Sequence, residues 1–163
     1  MSRRKLVLVA LTAGVMALVP AVGVAGTAEP STVNARAASH KVLIGFELHF
    51  TGADTTSGTF VASGAVQDAG ASNVKDFTLV PFGRQDRARL AGNQTFTGPQ
   101  GAIVTRFRGI ASGVSSQHQS GRGRFEVVSG TGAYTELHGR GTFTIVVDVA
   151  GNHLIGTEVG HVR

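Results

Sequence analysis

The sequence predicts an all-β domain, closed as an eight-stranded antiparallel β-barrel. Three observations carry that reading. Apolar and polar residues alternate with a period of two along most of the chain after residue 40, as strands with one buried face require. No long segment repeats at helical spacing, and 23 glycines work against helices. Short turn sequences separate the strands, and short connections favour antiparallel neighbours.

The first strand is the clearest. Val42, Ile44, Phe46, Leu48 and Phe50 alternate with Leu43, Gly45, Glu47 and His49. Further strands are predicted over Ser57–Val66, Val74–Phe82, Arg87–Thr97, Gly101–Ala111, Gly123–Ser129, Gly141–Asp148 and His153–Val162. The turn signals are Asp68-Ala69-Gly70, Gly83-Arg84-Gln85-Asp86, Gly98-Pro99-Gln100-Gly101 and Ala150-Gly151-Asn152. Ser112 to Ser120 is rich in Ser and Gln and reads as a loop. All nine phenylalanines fall in the first seven strands, at least one in each, as a shared interior demands. Phe107 shares a face with Ile103, Phe125 with Val127, Phe143 with Ile145 and Val147, and Leu90 with Phe96. The opposite faces carry Arg87, Arg89, Arg106, Arg108, Arg124 and Glu126.

Such a meander removes its free edges by closing on itself. Gly45, Gly64, Gly92, Gly109, Gly156 and Gly160 lie inside predicted strands, where glycine marks bulges or barrel corners. The competing architecture is a two-sheet β-sandwich.

The N-terminus stands apart from the fold. Arg3, Arg4 and Lys5 precede an apolar run, Leu6 to Val19, that stops at Pro20. Gly26-Thr27-Ala28 and Ala35-Arg36-Ala37 are candidate cleavage sites, so residues 1–28 read as a secretory signal, with cleavage as late as 37. The run before Pro20 falls short of the ~20 residues that span a bilayer, so no stable membrane anchor is expected after cleavage. Lys5-Leu6-Val7 fits a twin-arginine signal poorly, which leaves the general secretory route. Residues 29–40 read as a flexible lead and residues 41–163 as one domain.

Removing the signal changes the charge reading. The chain has 15 Lys+Arg against 10 Asp+Glu; residues 1–28 hold three basic and no acidic residues, leaving 12 against 10, a net of +2. The basic residues form no run, which argues against a nucleic-acid partner. The absence of cysteine excludes disulfides, thiolate metal sites and a cysteine nucleophile.

The stretch Gly121 to Phe143 reads as strand, glycine-rich corner, strand, with about one helical turn between Ala133 and Leu137. Gly130 and Gly132 permit a sharp turn, and Tyr134 can cover the barrel end with its ring while its hydroxyl finds a partner. Val128-Ser129-Gly130-Thr131-Gly132-Ala133-Tyr134, followed by Gly139-Arg140-Gly141, resembles the corner of the allene oxide cyclase-like and dirigent-like barrels. Gly58-Thr59-Phe60 to Gly64 and Gly98 to Thr105 resemble bacterial members of that family. The resemblance implies an eight-stranded antiparallel barrel, often trimeric, with an apolar lumen. Characterised members guide cyclisation or coupling of reactive small molecules, with little covalent chemistry of their own.

No catalytic motif goes further. Gly130-Thr131-Gly132 does not continue into a phosphate-binding loop. Ser115, Ser116 and His118 lie outside any GxSxG elbow, and the six histidines lack metal-ligand spacing. No cofactor and no metal are expected. Glu47 and His49 share a face of the first strand, and Glu158 lies on its neighbour in a closed barrel; an acid/base cluster or an exposed polar pair both fit. Asn93-Gln94-Thr95 is a glycosylation sequon.

Two functions are expected. In one, the lumen holds an apolar small molecule and steers its cyclisation by confinement, with Phe46, Phe107, Phe125 and Phe143 as walls and Tyr134 as lid. In the other, the lumen is filled by side chains and a secreted or envelope-associated barrel acts through its surface. Barrels of this size do either.

Overall fold

The computed structural model describes residues 38–83 and 86–163. The predicted signal peptide, both cleavage sites, residues 29–37 of the lead and the centre of the Gly83–Asp86 turn lie outside the described residues. Eight strands follow in order: β1 His40–Phe50, β2 Thr56–Gly64, β3 Asp68–Pro81, β4 Arg87–Gly98, β5 Gly101–Ser112, β6 His118–Gly130, β7 Gly139–Asp148 and β8 His153–Val162. Each pairs antiparallel with the next, and β8 returns to β1, from His40↔Val162 to His49↔His153. The sheet is a closed barrel, and the sandwich alternative is set aside.

The alternation read in the sequence becomes inside and outside. Val42, Ile44, Phe46 and Leu48 of β1 are buried, while Leu43, Glu47 and His49 face out. Ala88, Leu90 and Phe96 of β4, Ile103 and Phe107 of β5, Phe125 of β6, and Phe143 and Val147 of β7 complete the interior. The rings pack against one another: Phe60 on Phe96 at 5.2 Å between centroids, Phe46 on Phe96 at 6.1 Å, and Phe107 edge-on to Phe143 at 5.6 Å. Contacts of this kind add about 0.5–1.5 kcal/mol beyond the burial itself.

Four expectations shift. The chain turns before Asp68 rather than at it, and Asp68 opens β3 because its carboxylate is engaged by the amides of Ala69 and Gln100. The Ser112–Ser120 loop shrinks to residues 113–117, since Ser120 pairs with Ser112 and Gln119 with Val147. Phe82 lies just past β3, half-buried, with the Arg89 guanidinium 5.4 Å above its ring.

The fourth shift concerns the strand glycines. The register slips at Lys75/Thr78 and Val104/Thr105, not at glycines. Gly92, Gly156 and Gly160 lie flat under phenylalanine rings instead. A Cβ on Gly92 would stand 2.7 Å from the Phe107 ring and one on Gly160 2.9 Å from the Phe125 ring. One on Gly156 would collide with Phe46. These glycines make room for rings that a narrow barrel has no other way to seat.

The two ends of the barrel differ. One is closed by Val66 in the β2–β3 turn and by the β6–β7 corner, where Gly132–Tyr134 forms a single 3-10 turn. Tyr134 is buried there, and its hydroxyl donates to Asp68 Oδ2 at 2.9 Å. Burial first, then the hydrogen bond and the negative charge of Asp68, push its pKa up to about 12. Tyr134 is the only tyrosine and the chain has no tryptophan, so phenolate absorbance reports it alone. We expect a midpoint near 12 in the folded protein and about 10 in urea. The neutral phenol is favoured by folding, so this contribution is intact below pH 10 and is lost as pH rises through 12. A folded-state midpoint of 10 would mean that Tyr134 is neither buried at the barrel end nor bonded to Asp68. The opposite end carries the 51–55, 113–117 and 149–152 connections and stays open.

Candidate functional site

The open mouth is a pocket of about 360 Å3, lined by Phe50, Phe77, Leu79, Val149 and Leu154, with Gln119, Ser120 and Asn152 as polar members. Phe77 and Leu79 reach it through the irregularity in β3. Asp76 takes a left-handed backbone, φ 57°, and the register jumps between Lys75 and Thr78. Before the jump the inward residues are Ser72 and Val74; after it, Phe77 and Leu79 take the inner side. A bulge re-aims side chains in this way.

Deeper in the barrel is a chamber of about 30 Å3. Phe46, Phe107 and Phe143 line it, together with Thr56, Gln94 and Glu158. Phe50, Phe77, Ile145 and Leu154 line both spaces, so the two adjoin. A water needs about 10–15 Å3, so the chamber holds two or three water-sized groups and no more.

Glu158 is the chemical centre of the site. It is 1% exposed and pairs with Ile44 across the β1–β8 ladder, so it projects inward with the apolar set. Its Oε1 accepts a hydrogen bond from Thr105 Oγ1 at 3.1 Å. Its Oε2 has no partner within the protein. Burial pushes its pKa up to about 8, against a smaller lowering by the Thr105 hydroxyl. At neutral pH the group is therefore mainly a carboxylic acid, a hydrogen-bond donor inside an apolar barrel. Two more polar pieces surround it. Gln94 Nε2 donates to Ser72 Oγ at 3.0 Å, and Thr56 Oγ1 is buried without a partner.

The expected polar cluster does not form. Glu47 and His49 lie on the outer wall, while Glu158 lies inside; the strand wall separates them. On the outside, Glu47 Oε1 meets His153 Nε2 at 2.8 Å, and His49 stacks on His153 at 5.3 Å. Tyr134 caps the closed end and Phe125 packs over Gly141 and Gly160, so neither lines the chamber or the mouth. Ser116 Oγ bonds the carbonyls of Gly113 and His118, which assigns it to the loop. Asn93 of the sequon is half-buried, with its amide 3.4 Å from Asp76 Oδ2. Among the described residues, no group of three or more His, Asp or Glu side chains is placed to hold a metal.

The sequence reading missed Ser72, Gln94 and Thr105 and misplaced Glu158. Each is a polar residue at a core-facing step: Gln94 between Leu90 and Phe96, Thr105 between Ile103 and Phe107, Glu158 between Leu154 and Val162. That break in an apolar face was the available signal. Comparison of the chain with protein-family models, with curated proteins and with solved structures finds no match.

Proposed function

We propose that this is an exported barrel that binds a small, largely apolar molecule at its mouth, with the molecule's polar end directed at Glu158. The half-satisfied Glu158 carboxyl carries the reading. A buried polar atom without a partner costs about 1–3 kcal/mol, and sites that retain one commonly use it. A neutral carboxyl donates to an acceptor oxygen, so a ketone, ester or similar oxygen is the matching ligand group. The mouth volume lies in the range of small-molecule pockets, about 300–1,000 Å3. Export is supported by the basic, apolar and small-residue order of residues 1–28.

Confinement of a whole substrate for cyclisation needs far more enclosed space than 30 Å3. The reading that fits is holding a ligand by one end, with its body in the mouth. The small chamber also supports the alternative of a filled barrel acting through its surface.

Calorimetry with 2-nonanone separates the two. The ketone is expected to bind the wild-type protein, to bind Glu158→Leu about tenfold more weakly, as loss of one hydrogen bond of about 1.4 kcal/mol requires, and to fail with Val149→Arg at the rim. Leucine at 158 suits the apolar interior, so this variant keeps the fold. Absence of binding to the wild type would favour the filled barrel.

A further inference from the structure

The outer wall opposite the β1–β2 face carries a feature unrelated to the lumen. Arg106 and Arg108 on β5, Arg122 and Arg124 on β6 and Arg140 on β7 line one open groove of about 1,140 Å3. They are dispersed in sequence, and antiparallel register gathers them. Arg108 stands directly opposite Arg124, Arg106 opposite Glu126, and Glu126 opposite Arg140. All five arginines are exposed. Glu126 is the single carboxylate in the groove, 3.4 Å from Arg106 and 3.8 Å from Arg108. Among the described residues, Arg122, Arg124 and Arg140 have no carboxylate within salt-bridge distance. Neither of the two lysines of the barrel, Lys41 and Lys75, lines the groove.

Like charges placed directly across a ladder are destabilising. Glu126 answers Arg106 and Arg108 but not Arg124, which therefore adds a like charge opposite Arg108 that an external anion would relieve. Neighbouring strands are about 4.8 Å apart and every second residue along a strand about 7 Å, so the guanidinium groups form a close-spaced grid. Guanidinium groups bind oxyanions in forked pairs, and a phosphate offers enough oxygens to engage two of them.

We propose that this groove binds a linear phosphate polyanion through its charges alone. Two observations select that partner. The groove offers no ring for base stacking: Phe125 and Phe143 touch it only from beneath and are buried in the barrel, 3% and 4% exposed. Single-stranded nucleic acid draws much of its affinity from such stacking. The groove is also lined by one exposed aliphatic side chain, Ile110, which leaves little apolar surface to enter a bilayer.

The test is binding of inorganic polyphosphate to the full chain, measured by fluorescence anisotropy with labelled polymer across a salt series. Binding in 150 mM salt is expected, with affinity falling steeply as salt rises. The double variant R108Q/R124Q is expected to weaken binding at least tenfold, while its thermal midpoint stays equal or rises because the like-charge contact is gone. Arg124→Lys should bind better than Arg124→Gln, and Lys75→Gln, outside the groove, should bind as the wild type does. No binding at 50 mM salt, or equal binding by R108Q/R124Q, would overturn the proposal. So would tighter binding to single-stranded DNA, to heparin or to anionic phospholipid vesicles than to polyphosphate, each pointing to a different partner.

Discussion

Replacing Glu158 by glutamine should make the protein more stable at pH 8 and flatten its stability between pH 5 and pH 8. In the unfolded chain this carboxyl ionises near 4.5, and in the barrel burial holds it neutral to about 8. Between those values the folded state keeps a proton that the unfolded state has released. The unfolded state then binds fewer protons, and stability falls as pH rises. The full stability is present below pH 4.5, declines across the window, and levels off above about 8. At about 1.4 kcal/mol per pH unit, the total is on the order of 5 kcal/mol. Glutamine keeps an oxygen for the Thr105 hydroxyl and has nothing to ionise, so most of this decline should vanish. Its amide group inherits the partnerless position of Oε2, which holds the gain below that total. Urea titrations of both proteins at pH 5 and pH 8 read the effect as a change in midpoint at unchanged slope. Parallel profiles for the two proteins would show that Glu158 is ionised inside the barrel or is not buried there.

The second large effect concerns the rings that fill the barrel. Phe46→Ala should cost about 3–5 kcal/mol, the range for removing a buried phenylalanine. Phe46 is 6% exposed, packs on Phe96 and lies over Gly156. Gly156→Ala alone should cost about 1–3 kcal/mol, because the new methyl group has no space beneath the ring. The double variant tells whether ring and glycine fit together as a pair. With the ring gone the methyl group still meets Ile145 Cγ2 at 2.8 Å, so Gly156→Ala should cost clearly less in the Phe46→Ala background than in the wild type, without becoming neutral. A double-mutant cycle with strictly additive losses would contradict the ring-over-glycine account.

The architecture could be read from the chain because a two-residue period survives in most strands. β1 shows it most plainly, since Val42 to Leu48 is apolar on one side and carries Glu47 and His49 on the other. Closure was also legible, since each of seven strands brings a phenylalanine to one interior. The site was less so, for three physical reasons. In β8 both faces carry large apolar groups, buried Leu154 and Val162 on one and exposed Ile155 and Val159 on the other, so alternation did not say which side Glu158 takes. In β3 one irregular step at Asp76 reverses the faces and delivers Phe77 and Leu79 to the mouth; a left-handed aspartate leaves little trace in a sequence. The arginine groove depends on register, and Arg108 meets Arg124 only once β5 and β6 are aligned. The roles of Gly92, Gly156 and Gly160 also depend on register, which sets Phe107 and Phe46 directly opposite the first two and Phe125 one strand beyond the third.

The most direct measurement is the pH titration of the Glu158 side-chain carboxyl by carbon NMR, assigned by comparison with Glu158→Gln. A single glutamate resonance with a midpoint near 8, moving higher when 2-nonanone is added, is the predicted result. A ligand that accepts a hydrogen bond favours the protonated form, which is why the midpoint should rise. A Glu158 midpoint between 4 and 5, unchanged by the ketone, would contradict the neutral interior acid and the ligand site built on it.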